Sequence, residues 1–279
     1  MRIANLAGRL VLVTDAGAVD VETASAGRFS ADPQAVYPRW AEFTAWAETA
    51  PLEQARPVDA TALGAPAPTP AQVFGIGLNY RDHAAEAGFA LPDSPTVFTK
   101  FVSCLTGPEG EIPLAGPTVD WEIELVVVIG KLARHVAAED GWDHVAGLTV
   151  GQDLSERTVQ TAGPAPQFSL GKSFPRFGPI GPYLVTPDEF EDRDDIVLGC
   201  AVNGESVQKG RTSDLIFSVP RLVAELSAVL PLLPGDVIFT GTPAGVGVAR
   251  DPKRFLAVGD ELVSTIDGIG SMHHRFVPA

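Results

Sequence analysis

The sequence predicts a β-rich α+β fold. Three observations predict it. Short apolar runs, mostly the roughly four to eight residues of a strand, recur along the chain. The 28 glycines and 24 prolines among 279 residues put turns between these runs. Few stretches carry a helical period, so strands must build most of the core, as a barrel or roll.

Composition narrows the function. With 45% hydrophobic and 20% charged residues, the chain has the makeup of an ordinary globular protein. Its formal net charge of −15 opposes binding to nucleic acid or to an anionic membrane surface. Cys104 and Cys200 are too few for a disulfide framework and read as buried, reduced thiols. The N-terminal MRIANLAGRLVLV lacks a signal-peptide core and cleavage site. No apolar run reaches the roughly 20 residues of a membrane helix. The expected compartment is the cytoplasm.

Residues 1–27 alternate apolar and polar positions around glycines, which predicts a small antiparallel sheet. Pro38–Ala50 sets Trp40, Phe43 and Trp46 three apart and predicts a short helix that packs its aromatics. Pro51–Pro70, with ALGAPAPTP, reads as an extended connector. The expected organisation is a small N-terminal domain, residues 1–71, followed by a main domain, residues 72–279.

The main domain opens on VFGIGLNY, a strand. RDHAAEAG follows as one or two helical turns stopped by Gly88. FALPDSPTVFTK is a proline-rich loop that runs into another strand. Leu125–Ile129 is aliphatic and mostly β-branched, the pattern of a buried strand. His144–Val150 is a further strand. Asp153, with Glu156 three residues on, resembles a helix start capped by Asp153. Asp195–Val202 and Ser206–Lys209 flank Asn203–Gly204, a hairpin signal. Ser218–Leu230 is a helix with Pro220 in its first turn and Leu222, Leu226, Val229 and Leu230 facing inward.

The chemistry concentrates at DWEIELVVVIG, residues 120–130. Glu122 and Glu124 are two apart, so on a strand they share a face. Two acids at the mouth of a buried strand need a positive partner. Asp120 falls on the same face and reads as support rather than as a ligand. Asp153, after the next apolar strand, offers a third carboxylate. Three carboxylates without a Cys pair or an HExxH motif favour a hard ion, Mg2+ or Mn2+ first, with Ca2+ as the other candidate.

His83 and Glu86 are three apart and meet on a helical turn, the pattern of a general base oriented by a carboxylate. A surface His beside a surface Glu has the same spacing. Lys100, Arg157 and Lys172 stand beside strands or glycines, and each alone is an ordinary surface charge. The loop Gly241–Gly247, GTPAGVG, is followed by no GK[ST] and is not a nucleotide phosphate loop. It would let the backbone and the Thr242 hydroxyl approach a small anion. His273 and His274, in SMHHRF, read as structural or exposed.

Five segments in order, GLNYRDHAAE, DWEIELVVVIG, GQDLSERTVQ, GKSFPRFGPIGP and LPGDVIFTGTPAGVG, resemble the fumarylacetoacetate hydrolase family. The resemblance covers roughly residues 72–270. It implies a mixed β-sandwich roll with a small N-terminal domain, in homodimers. It implies that Glu122, Glu124 and Asp153 bind Mg2+ or Mn2+. It implies that His83 and Glu86 form a water-activating pair on a mobile lid, with Lys172 near the developing negative charge. Arg157, Gln160 and Thr242 map onto substrate contacts. Lys100 stands where the family often has Lys-Pro-Ser, although Phe101 follows it here. Fumarylacetoacetase itself has a further acidic ligand before the His, where this chain has GIGLNY. Pro175 replaces a common Asp. The missing acidic ligand points to the acylpyruvase-like branch, and the segments QDLSER and GKSF look most like members acting on 2,4-diketo-3-deoxy sugar acids or related 2,4-dioxo acids.

The activity so implied is metal-dependent hydrolysis of the C3–C4 bond of a 2,4-dioxo acid, with a pyruvate enolate as the leaving fragment. The same enolate-stabilising site serves an oxaloacetate-type decarboxylase or a 2-hydroxyhepta-2,4-diene-1,7-dioate-type isomerase. An inactive metal-binding scaffold is the non-enzyme alternative. The expected partner is a small 2-oxo or 2,4-dioxo acid, with no nucleic acid and no membrane.

Overall fold

The computed structural model describes residues 1–52 and 55–279. Its organising element is the strand Ile123–Ile129, all seven residues of which are buried. The strand pairs antiparallel with Val145–Gln152 on one side and with Val237–Phe239 on the other. Ile123, Leu125, Val127 and Ile129 enter one apolar cluster, while Val126 and Val128 enter another. Both faces are dry, which is why the run is aliphatic without alternation. Glu124 lies on the face of Val126 and Val128, one step nearer the strand's start.

This strand sits inside an 11-stranded mixed sheet. The main path runs Gly17–Asp20, Arg9–Thr14, Arg2–Leu6, Gly178–Val185, Val145–Gln152, Ile123–Ile129, Val237–Phe239, Val73–Gly77 and Thr96–Thr99. The N-terminal strands form the expected antiparallel set and also extend the large sheet, because Arg2–Leu6 pairs with Gly178–Val185. Ile3, Leu10 and Phe43 pack with Val126 and Phe239 in one cluster. Residues 1–52 therefore share a core with the rest of the chain.

A second sheet has five strands in the order Glu205–Arg211, Val197–Val202, Glu261–Ile266, Gly270–Val277 and Glu109–Pro113. Leu198, Leu262, Met272 and Phe276 from this sheet join Leu125, Val127 and Leu148 from the large one in a single cluster. Each aliphatic or aromatic side chain so buried contributes roughly 1.5–3 kcal/mol. The hairpin between Val197–Val202 and Glu205–Arg211 turns at Asn203 and Gly204, with φ of 52° and 80°. Two consecutive positive φ values are the reason for Asn-Gly at a two-residue turn.

Helices are few and short. Trp40–Ala47 packs Trp40 and Trp46 against Phe43, and Phe43 and Trp46 against Phe29, in edge-on or tilted contacts, as the aromatic spacing predicts. Arg81–Ala87 ends at Gly88, which is left-handed with φ 71°. Among the described residues, no helix is long and apolar enough to cross a membrane.

Two sequence expectations are corrected. The helix Val219–Val229 buries Val219, Leu222, Val223 and Leu226, but Val229 is 83% exposed. Its cover, the turn Ala138–His144, lies against the helix start, where a Cβ on Gly141 would stand 2.5 Å from Pro220 Cα. The apolar stripe outruns that cover. Leu230 has left the helix and packs only partly against the core. The second correction concerns Asp153, which caps no helix. The short helix Arg157–Gln160 is capped by Glu156, whose carboxylate accepts from the Val159 N–H.

Candidate active site

The central strand begins where its pairing becomes irregular. Val119–Asp120 pairs with Ser155–Glu156 in a separate two-stranded ladder, and Trp121–Glu122 bridges to the long strand. The bridge keeps the two-residue alternation, so Glu122 and Glu124 converge. Together with Asp153 they offer three carboxylate oxygens within 4.8 Å of one another. All three residues are buried.

Cations meet part of this charge. The Lys172 ammonium donates to Glu122 Oε2 at 2.7 Å, Asp153 Oδ2 at 2.6 Å and Ser155 Oγ at 2.8 Å. Lys100 donates to Asp153 Oδ1 at 2.7 Å, to Phe177 O at 3.1 Å and to the Lys172 carbonyl. Arg157 holds Asp120 Oδ2 through Nε at 2.9 Å and Nη2 at 2.7 Å, and reaches Glu122 Oε1 through Nη1 at 2.7 Å. Burial opposes the charge on Glu122, but Lys172 and Arg157 outweigh it and hold the carboxyl at about 2. Burial likewise opposes the Lys172 charge, and Asp153 and Glu122 outweigh it and raise that pKa.

Glu124 is different. Its carboxylate accepts from the Gly241 N–H at 2.7 Å and makes no ion pair among the described residues. Burial first, then the charges of Asp153 and Glu122, push it well above the ordinary glutamate range. A buried carboxylate beside two others, with all-oxygen donors, is an environment that a hard divalent cation would relieve. The donor set therefore fits Mg2+, Mn2+ or Ca2+.

A cavity of about 310 Å3 opens over the acids. His83, Glu122, Glu124, Arg157, Gln160, Lys172 and Thr242 line it. Three expected residues, Glu86, Asp153 and Lys100, stand outside that lining. Glu86 backs His83, with Oε2 3.2 Å from Nδ1. A carboxylate oxygen accepts, so Nδ1 is the donor in this pair. Lys100 lies behind Asp153 with its side chain fully buried, and holds that carboxylate rather than touching the cavity. Its burial is invisible in the sequence because its three partners, Asp153, Lys172 and Phe177, are distant in the chain.

Sequence reasoning missed the apolar half of the wall. Ile76, Leu78, Phe89, Phe98 and Phe168 also line the cavity. Phe98 and Phe168 meet edge-on at 5.8 Å, and the Lys172 ammonium stands 5.0 Å from the Phe98 ring centroid. A phenylalanine on the edge strand Thr96–Thr99 reads as ordinary β-propensity.

The glycine loop also behaves differently from expectation. Its backbone donors meet the chain's own carboxylates. Gly241 N–H donates to Glu124, Gly245 N–H to Glu86, and Gly247 and Val248 N–H to Asp120. The Thr242 hydroxyl donates to Ile123 O at 2.8 Å. Gly245 has φ +105°, and a Cβ there would lie 2.2 Å from Val207 O, so only glycine fits. The loop is a brace for the acids.

A family model for the C-terminal domain of fumarylacetoacetate (FAA) hydrolases matches residues 72–277. The chain belongs to the fumarylacetoacetate hydrolase family. Members of this family are enzymes, and the mixed sheet-rich fold is theirs. The chain is 44% identical over 215 residues to human mitochondrial oxaloacetate tautomerase FAHD2A, covering 76% of this chain and 68% of the relative. A crystal structure of a provisionally named HpcE protein from Mycobacterium smegmatis is 56% identical, with full coverage of both chains and a TM-score of 0.96. A maleylpyruvate hydrolase from Sphingobium sp. SYK-6, crystallised with manganese(II) and pyruvate, is 29% identical, again with full coverage and a TM-score of 0.78.

Proposed function

We propose that this family member is a divalent-metal-dependent hydrolase that cleaves the C3–C4 bond of a small 2,4-dioxo acid. The observation that carries the reading is one cavity lined by His83, which Glu86 backs, and by Glu122 and Glu124, with Asp153 beside them in the same buried cluster. A bound Mg2+ or Mn2+ ion would supply Lewis-acid polarisation of the 2-oxo acid head. The maleylpyruvate hydrolase relative, with its manganese and pyruvate, supports that assignment.

The chain's own groups supply the rest. His83 Nε2 takes a proton from water as the oxygen attacks C4, and Glu86 holds the imidazole and offsets its new charge. Lys172, whose three N–H groups are taken by Glu122, Asp153 and Ser155, stabilises the oxyanion that forms at C4 through its charge. The C3–C4 bond then breaks, and its electron pair stays on C3 as a pyruvate enolate. His83 returns the proton to C3. Arg157 and Gln160 orient the acid head, and Phe98, Phe168 and Leu78 accommodate the acyl group beyond C4. That apolar wall favours an acyl group over a second carboxylate.

A second reading has its own support. The 44% identity to an oxaloacetate tautomerase favours keto–enol proton transfer on a 2-oxo dicarboxylate, with His83 moving the proton and no C–C bond broken. A Mg2+-dependent screen separates the two. Acylpyruvates and diketo sugar acids are followed by pyruvate release, and enol-oxaloacetate by loss of enol absorbance. Pyruvate release with turnover well above the tautomerase rate supports the hydrolase. Tautomerisation without pyruvate release from any dioxo acid overturns it. A homodimer acting in the cytoplasm is part of the same proposal, although the human relative is named as mitochondrial.

A further inference from the structure

We propose that Gln152 and Gln208 form an amide clamp that sets the geometry of the acidic cluster, as positioning residues for the cation it would hold. The proposal rests on the reading of Glu122, Glu124 and Asp153 as a cation site.

The two glutamines come from different sheets. Gln152 ends the strand Val145–Gln152 of the large sheet, and Gln208 lies on Glu205–Arg211 of the five-stranded one. Both are buried, at 0% and 3% exposure. Gln152 Oε1 accepts the Glu122 N–H at 2.8 Å, and Gln208 Oε1 accepts the Ile123 N–H at 3.0 Å. Two consecutive backbone amides at the start of the ligand-bearing strand are thus each held by a side chain.

Each clamp arm is anchored behind. Gln152 Nε2 donates to Ser264 Oγ at 2.9 Å. Gln208 Nε2 donates to Thr242 Oγ1 and to Pro243 O, both at 2.8 Å. The orientation of the Gln208 amide follows from its backbone partners. The Ile123 N–H can only donate and the Pro243 carbonyl can only accept. Thr242 then passes its own proton to Ile123 O at 2.8 Å. Ile123, the residue between the two glutamate ligands, is therefore held at both its N–H and its C=O by this one network.

The placement explains why amides stand between two apolar sheets at all. A hydrophobic side chain would fill the space without the cost of burying polar groups. Amides bonded at both oxygen and nitrogen instead fix one backbone geometry. Rotation of the peptides on either side of Ile123 would swing Glu122 and Glu124 apart, and their oxygens would leave the 4.8 Å cluster. Supports of this kind, one layer behind ligands, typically govern metal affinity.

The test titrates the metal-free full chain with Mn2+ by calorimetry, alongside thermal denaturation. Gln208→Met keeps length and removes every donor and acceptor. Ser264→Ala removes only the anchor of Gln152. Val207→Ala, a buried position on the Gln208 strand, is the packing control. The clamp predicts Mn2+ binding weaker by about 10–100-fold in Gln208→Met and by about threefold or more in Ser264→Ala. It predicts a lower Tm but an affinity within about twofold of the parent in Val207→Ala. Parental affinity in both Gln208→Met and Ser264→Ala overturns the clamp, whatever happens to Tm. If Gln208→Met does not fold, Ser264→Ala decides alone. A parent chain that binds no Mn2+ overturns the cation-site reading, and the clamp with it. Equal binding by parent and variants overturns the clamp only.

Discussion

The Gly245 backbone N–H donates to both oxygens of Glu86, at 3.0 and 3.2 Å. This bond ties the helix that carries His83 to the loop that also braces Glu124 and Asp120. The Gly245 carbonyl, on the next peptide, accepts from Trp121 Nε1 at 3.1 Å, and Trp121 precedes Glu122. Base and acid cluster are thus joined through one residue.

Glu86→Ala removes the partner of His83 and the acceptor of Gly245 together. The expected result is a loss of about 100-fold or more in kcat/KM, the range for a general base without its orienter. Mn2+ affinity should stay within about twofold, because no ligand is touched. Steady-state kinetics beside calorimetric Mn2+ titration checks both halves.

Glu124→Gln and Asp153→Ala should part company in the metal-free chain. Glu124 is buried among like charges without a cation of its own, so neutralising it relieves repulsion and raises Tm. Asp153→Ala strips Lys100 and Lys172 of a shared counter-charge, and breaking a buried pair costs roughly 3–5 kcal/mol. Both changes should weaken Mn2+ binding by more than the ~100-fold typical of supporting residues. Thermal melts with and without Mn2+ separate the two effects, and a Tm decrease in metal-free Glu124→Gln would contradict the charge assignment.

Lys172→Met tests a competition. The Lys172 ammonium sits on Glu122 and Asp153, two of the three expected ligands. Its removal takes away a competing cation, so Mn2+ affinity should hold or increase. Activity should fall at least ~100-fold, because the oxyanion loses its partner. The metal-free chain should melt lower, with two buried carboxylates left short of charge. Weaker Mn2+ binding in this variant would count against a site shared by ammonium and metal.

His274 predicts a pH dependence of stability away from the cavity. It is buried in the strand Gly270–Val277, and its Nε2 donates to Gly107 O at 3.1 Å. Burial, aided by Arg176 and His273, lowers it from the ordinary 6.5 to about 4. Between those values the unfolded chain binds the extra proton. The stabilisation is therefore complete above pH 6.5 and is lost as pH falls towards 4, on the order of 3 kcal/mol in all. Urea denaturation of parent and His274→Gln at pH 7 and pH 4.5 should show a steeper loss in the parent. Parallel losses would reject it.

The sequence by itself determined the local geometry of the candidate site. Residue parity along DWEIELVVVIG placed Glu122 and Glu124 on one face, and the i,i+3 spacing of His83 and Glu86 let them meet on one helical turn. Gly88 marked the helix end, and Asn203–Gly204 the hairpin. These are short-range facts, because strand and helix periods repeat within a few residues. Only the tertiary structure decided the partners. The bond from Gly241 to Glu124 spans 117 positions, and the bond from Gln208 to Ile123 spans 85. Neither Lys100 behind Asp153 nor the glycine loop against the chain's own carboxylates follows from a local pattern. Val229 shows the same limit from the other side, since its place on the stripe was legible but the end of its cover was not. Periodicity specifies which face a side chain takes, while sheet order specifies what that face meets.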